Sequence, residues 1–255
     1  MQERPLRLAV SGTYSSGKTT TTEALSIAAG IARTDALTAR EIVVDLVPGK
    51  SFQQLNASEL LMLGLRRLEE RIHTEAAQTG SFVSDGSVLH EWIYGEVRMR
   101  IGINPGAPLL QRAVKRVVGI PSKPFMQRYM DAYGVVVKAR TRRIYDAFVH
   151  LPIEFSMAAD GHRPVSEKYR VLSDELLIET LEELEMPYHV VGGTVPERVA
   201  RIIELFDLPT VVPVDEAVEL AAERIRKSKE MVAERQIAAH QDVSLARRLR
   251  YAIRY

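Results

Sequence analysis

The eight residues Gly12, Thr13, Tyr14, Ser15, Ser16, Gly17, Lys18 and Thr19 fit the spacing G-x-x-x-x-G-K-[ST]. In that pattern two glycines let the backbone curl with its amides inward, and the helix that follows adds the positive end of its dipole. The result is a cradle for phosphate oxygens. Lys18 is placed to reach the β- and γ-phosphates of a nucleoside triphosphate, and the Thr19 hydroxyl to hold Mg²⁺. Thr20 continues the cradle into the helix. The bland alternative is a chance loop-to-helix turn, and the flanks argue against it. Leu6 to Val10 reads as a buried strand and Thr20 to Gly30 as a helix, which is the setting this loop requires. ATP and Mg²⁺ are the expected cofactors.

Other residues with chemical potential are spread along the chain. Asp85 closes a compact strand running from Ser81, and a carboxylate in that position points toward the phosphate loop. It would bind Mg²⁺ through water or accept the proton of an attacking hydroxyl. Alternatively it caps the helix that begins after Gly86-Ser87. From Asp160 to Arg170 a loop carries Arg163, Lys168 and Arg170 shortly before a helix. It either closes over a triphosphate and neutralises charge in the transition state, or is a solvated charged loop. Phe125, Tyr129 and Tyr133 form one aromatic helical face, available for pocket lining or core packing. His90-Glu91 lacks the second histidine of a zinc-binding helix. His73 and His90 therefore read as ordinary helix-surface or partly buried residues, and Asp45 as a strand-end turn residue or a substrate contact.

These groups need a frame. Strands are expected at Glu41 to Asp45, at Ser81 to Asp85, at Phe148 to Phe155 with Pro152 interrupting its far end, and at Tyr188 to Val191. Helices are expected after Asn56, where Glu59 completes a capping pattern, and from Ser87 to Arg100. Further helices are expected from Leu109 to Val118, from Phe125 toward Tyr145, from Ser173 to the stop at Pro187, and after Thr194-Val195-Pro196-Glu197. Alternating strands and helices predict an α/β fold with a mostly parallel sheet flanked by helices, the phosphate-loop NTPase class, with ligands at the carboxyl ends of the strands. Residues 1–209 form the nucleotide-binding unit, with a basic helical insertion at about 101–147, and residues 210–255 a helical C-terminal extension.

Composition narrows the setting. The 255 residues suffice for one large core, and 46% hydrophobic with 26% charged residues is ordinary for a globular chain. There is no cysteine, which removes disulfides and thiolate metal sites. With no signal-peptide pattern and no membrane-length apolar run, the expected location is cytoplasmic. Net charge is only +1, yet Asp131 is the single acid among eleven basic residues between Arg98 and Arg143. That stretch, and the basic amphipathic run from Ser244 to Tyr255, offer contact to an anionic acceptor, nucleic acid, anionic lipid or a second subunit.

Taken together, the loop from Gly12 to Thr19, Ser84-Asp85-Gly86-Ser87 after a strand, the Asp160-Gly161-His162-Arg163 loop and the Val190-Val191-Gly192-Gly193 strand-turn resemble the AAA-type ATPase/kinase group. That group includes the nicotinamide riboside kinase domain of NAD-biosynthesis regulators. The resemblance covers about Leu6 to Leu208. It implies ATP·Mg²⁺ in the loop, an acid at Asp85 near the acceptor, and a lid bearing Arg163 and Arg170. By the same analogy Gly192, Gly193 and Thr194 lie beside the purine.

The leading expectation is transfer of the γ-phosphoryl of ATP to a hydroxyl of a small, nucleoside-like or already phosphorylated molecule, with Lys18, Asp85, Arg163 and Arg170 carrying the chemistry. An ATP-driven regulator signalling to lipid, nucleic acid or protein is the alternative from another class. A polynucleotide-end kinase stands third. Neither Asn56 nor Asn104 is followed by lysine, so the guanine-reading Asn-Lys-x-Asp pattern is missing.

Overall fold

Leu8, Ala9 and Val10 are fully buried, as befits a strand covered on both faces. They form the middle of β1 (Arg7–Ser11), the central strand of a five-stranded parallel sheet. The computed structural model describes residues 4–48, 50, 55–101, 123–154 and 166–241. Its elements run β1, α1 (Lys18–Ala29), β2 (Ala32–Thr34), α2 (Ala39–Leu46), α3 (Ala57–Ala76), β3 (Phe82–Asp85), α4 (Val88–Ile101), α5 (Lys123–Ile144), β4 (Ala147–His150), α6 (Glu167–Glu183), β5 (Tyr188–Val190), α7 (Val195–Leu205) and α8 (Val214–Gln241).

The strands lie in the order β2-β3-β1-β4-β5. Registers pair Val10 with Asp85 and Ser11 with His150, so these side chains gather at the carboxyl end of the sheet. The chain leaves β1 toward β2 on one side and β4 toward β5 on the other. Such a reversal opens a crevice at the strand ends, where ligands of open α/β sheets bind.

Alternation along the strands separates two cores. Ala9, Phe82 and Phe148 face a layer with Leu89, Ile93, Tyr133, Val137 and Leu177 from α4, α5 and α6. Leu8, Val10, Val83 and Val149 face the other layer, with Leu25 and Ala28 of α1, Val199 and Ile202 of α7, and Ala217 and Ala221 of α8. The residues after Pro209 thus begin by packing on α1, where Val211 N and Val212 N donate to Ala28 O at 2.8 and 3.2 Å.

Local signals set several boundaries. Asn56 Oδ1 accepts from Glu59 N while Glu59 Oε2 accepts from Asn56 N, both at 2.9 Å, closing the expected box at the start of α3. Thr194 N donates to Glu197 Oε2 at 2.7 Å ahead of α7.

Three expectations are corrected. The stretch from Glu41 to Asp45 is helix α2, because Thr38 and Glu41 form a capping box and the apolar pair Ile42 and Val43 packs on Leu55 and Leu63. The second strand is instead Ala32–Thr34, whose three residues centred on an arginine carry too little pattern to announce it. Helix α6 starts six residues before Ser173, just after Ser166, whose Oγ accepts from Tyr169 N at 3.2 Å, and the Ser173 hydroxyl donates back to Tyr169 O at 2.7 Å. Lys168 and Arg170 consequently lie in a helical first turn, not in a loop. Strand β4 ends at His150, ahead of Pro152, which cannot donate to a ladder. The helix expected from Leu109 to Val118, Arg163 and the run from Ser244 lie outside the described residues.

Candidate active site

The phosphate loop is held with its carbonyls turned toward the protein. Gly12 O accepts from His90 Nε2 at 3.1 Å, Thr13 O from Lys18 Nζ at 2.6 Å and Ser16 Oγ at 3.0 Å, Ser16 O from Arg198 Nη1 at 2.6 Å, and Gly17 O from Thr21 N at 3.0 Å. In a planar trans peptide the N–H points opposite to the C=O. Carbonyls tied outward therefore leave the amides of the turn facing its hollow, an arrangement that attracts anions. Two glycines make the curl possible. Gly12 has φ +136°, and a Cβ there would stand 2.6 Å from Leu151 O; Gly17 has φ +90°, with Arg198 Nη1 3.0 Å from its would-be Cβ. Thr19, in the first turn of α1, is exposed and so open to a ligand.

Arg198 and His90 grip the loop from opposite sides by different means. Arg198 is fully buried in α7 and its Nη2 donates to Glu154 Oε2 at 2.6 Å. Glu154 also accepts from Gly193 N at 3.0 Å, and these bonds, that from Arg198 first, hold its carboxyl below the usual range. One carboxylate thus joins the Gly192-Gly193-Thr194 turn to the arginine beneath Ser16. On the other side His90, at the start of α4, is buried rather than superficial. Its Nδ1 accepts from Ser87 N at 2.9 Å. Burial, reinforced by the Lys18 and Arg71 charges, pushes the imidazole well below its usual 6.5.

Asp85, at the end of β3, receives Arg33 Nη2 on Oδ2 at 2.9 Å, and Arg33 also pairs with Asp35 at 2.9 Å and Glu23 at 3.4 Å. Burial works against the Arg33 charge, but Asp85, Asp35 and Glu23 together raise its pKa. The amide of Ser87 at the head of α4 goes to His90, not to Asp85. At the end of β4, His150 is buried with Ser11 Oγ 3.3 Å from Nδ1 and Asp174 Oδ1 3.4 Å from Nε2. Among the described residues no group of three or more His, Cys, Asp or Glu side chains is placed to hold a metal ion. The fit to Mg²⁺ accordingly rests on Thr19, Asp85 and the anion-directed loop.

Next to the loop lies a cluster of aromatic and charged side chains. Tyr14 stacks on Tyr94 with ring centroids 4.5 Å apart, and Tyr169 joins them at 6.0 Å from Tyr14. Arg67 Nε donates to buried Glu91 Oε2 at 2.7 Å, and Arg67 Nη1 to Leu37 O at 2.6 Å. Burial opposes the Arg67 charge, yet Glu91 raises its pKa overall. Glu91 Oε1 and the Tyr133 hydroxyl, both buried, find no hydrogen-bond partner among the described residues, Glu91 Oε1 lying 3.9 Å from Arg71 Nη2. Burial pushes the phenols of Tyr94 and Tyr133 upward, and the Glu91 charge adds to the effect in both. Beneath the cluster runs a buried chain: Arg71 Nη1 donates to Ser84 Oγ at 3.0 Å, Ser84 Oγ to Glu75 Oε1 at 3.2 Å, Arg140 Nη2 to Glu75 Oε2 at 2.9 Å, and the Tyr145 hydroxyl to Glu75 Oε1.

The structure brings together Gly12 to Thr20, Asp85 and, through Glu154, Gly192 to Thr194. It places Arg170 elsewhere in character: fully buried in the first turn of α6, with Nη1 donating to Glu167 at 3.0 and 3.2 Å. Sequence reasoning missed His90, Arg198, Glu154, Arg33, Arg67 and Glu91. One signal was present for His90, since Ser87-x-x-His90 has the spacing of a capping box with histidine in the acidic position. Arg198, Glu154, Arg67 and Glu91 lack a local signature, because their partners are 24 to 182 residues away, and Arg33 reaches Asp85 52 residues on.

Comparison with known proteins agrees with this geometry. The fold resembles the deoxyadenosine kinase from M. mycoides with bound dATP, at a TM-score of 0.54 and 15% identity over 79% of this chain and 99% of that one. The same kinase with products dCMP and a flexible dCDP gives a TM-score of 0.52 and 15% identity, over 79% and 98% of the two chains. No curated protein matches. No described helix is long and apolar enough to cross a membrane. A family model described as an AAA domain matches residues 7–198, spanning β1, the phosphate loop and the Arg198 that closes it from below, and the chain belongs to that AAA-domain family.

Proposed function

We propose that the chain is an ATP- and Mg²⁺-dependent kinase that phosphorylates a hydroxyl of a small, nucleoside-like acceptor. The observation that carries this reading is the anion-directed loop at the carboxyl end of the sheet, which suits a triphosphate. Beside it Tyr14, Tyr94 and Tyr169 cluster next to the Arg67–Glu91 pair, side-chain chemistry that suits a flat, polar-edged ring. The similar solved structures are deoxyadenosine kinases with bound nucleotides, which favours a nucleoside over a sugar or a polynucleotide end. The nicotinamide riboside kinase resemblance falls in the same acceptor class.

In the transfer step the acceptor hydroxyl gives its proton to the Asp85 carboxylate while its oxygen bonds to the γ-phosphorus. The bond from that phosphorus to the bridging oxygen breaks, and the electron pair leaves with ADP. Lys18 and the loop amides take up the charge that grows on the bridging oxygen. Arg33 fixes the Asp85 carboxylate toward the loop. Thr19, with Asp85 through water, would hold Mg²⁺, which would supply further neutralisation of the phosphate oxygens. Gly192, Gly193 and Thr194 flank the purine in this reading, and Arg163 contributes a cation from outside the described residues. Arg170, sealed against Glu167, serves by holding the head of α6.

The regulator and polynucleotide readings lean on the basic segment. Two of its cations are already used internally, Arg140 by Glu75 and Lys138 by Glu183.

The test is direct. ATP with Mg²⁺ should raise the melting temperature, and Lys18→Ala should abolish most of that rise. Asp85→Asn should keep the rise and lose transfer to nucleosides. An equal rise in Lys18→Ala defeats the nucleotide site, and full transfer by Asp85→Asn removes its role as base.

A further inference from the structure

Building on that reading, we propose that His90 is a positioning residue of the phosphate loop: held as the Nε2–H tautomer by the head of its own helix, it pins the Gly12 carbonyl and so aims the first peptide of the loop.

Nδ1 lies 2.9 Å from the backbone nitrogen of Ser87, and a backbone N–H can only donate; the Ser87 hydroxyl, 3.1 Å away, can turn its own proton to the same nitrogen. Nδ1 must therefore present a lone pair. The one remaining ring proton sits on Nε2, and the atom 3.1 Å from Nε2 is the Gly12 carbonyl oxygen, which can only accept. The two neighbours impose the same tautomer independently. The opposite tautomer would set N–H against N–H at one end and lone pair against lone pair at the other. Adding a second proton would likewise drive Nδ1–H into Ser87 N–H, beside the charges of Lys18 and Arg71.

The sequence position explains why a histidine serves here. His90 is the third residue of α4, following Ser87 by three, which is where a capping box places Glu or Gln to receive the backbone N–H that precedes the helix. Histidine performs that reception and adds a donor on its far side, which a carboxylate lacks. The donor reaches 78 residues back to the loop. There the Gly12–Thr13 peptide is already confined, with Leu151 O behind it and φ of Gly12 at +136°. Fixing Gly12 O toward α4 leaves Thr13 N–H directed the other way.

This division of labour predicts unlike behaviour from two variants that are equally good caps. Glutamine can accept from Ser87 N with Oε1 and donate to Gly12 O with Nε2. Glutamate caps equally well, but it offers no donor and turns a carboxylate toward a carbonyl beside the phosphates. We expect H90Q to bind ATP·Mg²⁺ within about threefold of the unaltered protein, and H90E and H90L to bind it about tenfold or more weakly, the worth of roughly one hydrogen bond. KM for ATP should rise more than kcat falls, and KM for the acceptor should stay level. Melting temperatures without nucleotide establish that each variant is folded. Equal ATP binding by H90E and H90Q, or equal weakening of both, overturns the proposal.

A second measurement does not depend on the kinase reading. In the nucleotide-free protein, ¹⁵N shifts of the His90 ring should show Nε2 protonated and Nδ1 bare, and H90Q should leave the Thr13 amide resonance close to its original position while H90E moves it. A proton on Nδ1, or a Thr13 amide indifferent to H90E, overturns the clamp. If the unaltered protein bound no ATP while these shifts held, the kinase reading alone would fall.

Discussion

The phosphate loop and the side-chain cluster beside it are built on opposite plans. The loop spans Gly12 to Thr21, and what it presents is backbone: positive φ angles, carbonyls tied outward, amides left facing the hollow. The neighbouring cluster is a side-chain property. It combines Arg67, Arg71 and Arg140 with Glu75 and Glu91, drawn from α3, α4 and α5 and paired with one another largely out of water. A triphosphate is a common ligand that one turn of backbone can grip through its own dipoles. An acceptor is particular, and recognising it requires side chains that only the finished fold assembles.

That contrast can be broken by experiment, most forcefully through Glu75. Glu75→Ala leaves Arg140 and the Tyr145 hydroxyl without their partner in the interior, and should cost about 3–5 kcal/mol of stability, read from urea unfolding. ATP affinity of the fraction that remains folded should be unchanged. A large loss of affinity would show that the two plans are coupled.

Glu91→Gln sharpens the contrast from the acceptor side. It keeps the shape and removes the charge facing Arg67, so acceptor KM should rise about 10- to 100-fold, as expected for a hydrogen bond to a charged group, while KM for ATP holds. A matching change in both constants would argue against separate pockets.

A smaller effect concerns acid. His90 is neutral in the fold because burial, Lys18 and Arg71 hold its pKa well below the usual 6.5, whereas the unfolded chain titrates near that value. The unfolded state therefore binds the extra proton first. His90 stabilises fully above about 6.5 and progressively less as pH falls below it, Lys18 and Arg71 staying charged throughout. Unfolding free energies at pH 7 and 5 should fall more for the unaltered protein than for His90→Gln, and parallel curves would contradict the buried neutral ring.

Smallest of all, Asn56→Ala at the head of α3 should cost about 1 kcal/mol, the usual value of a helix cap, with both KM values unaffected. A change in acceptor KM would mean that the start of α3 reaches the pocket.

The sequence was readable wherever the physics is local. Gly12 to Thr19, the β1 run of buried residues, the capping pairs Asn56–Glu59 and Thr194–Glu197, and the strand ending in Asp85 each depend on neighbours a few positions away. The parallel α/β class followed from their alternation. Where a short apolar run suits either element, as from Glu41 to Asp45, the deciding signal was Thr38 three residues earlier, and β2 was too brief to show a period. Ser173 resembled a helix start because its hydroxyl does bond locally, though to Tyr169 within the helix. Arg198 and Glu91 were invisible for a different reason. A buried arginine looks like any surface arginine until the fold supplies Ser16 O, 182 residues away.

The family match ends at residue 198, but the wall around the central sheet does not. Ala217 and Ala221 rest without any exposure against the same cluster as Ala24, Leu25 and Ala28 of α1, and Arg224 reaches Glu23 at 3.1 Å. A chain shortened to the matched region would uncover the flank of the helix whose first turn carries Lys18. The small side chains at this seam also set its tolerance. An added methylene or two at Ala217 or Ala221 would wedge the seam apart, so the part of the molecule with the least recognisable sequence is among the least free to vary.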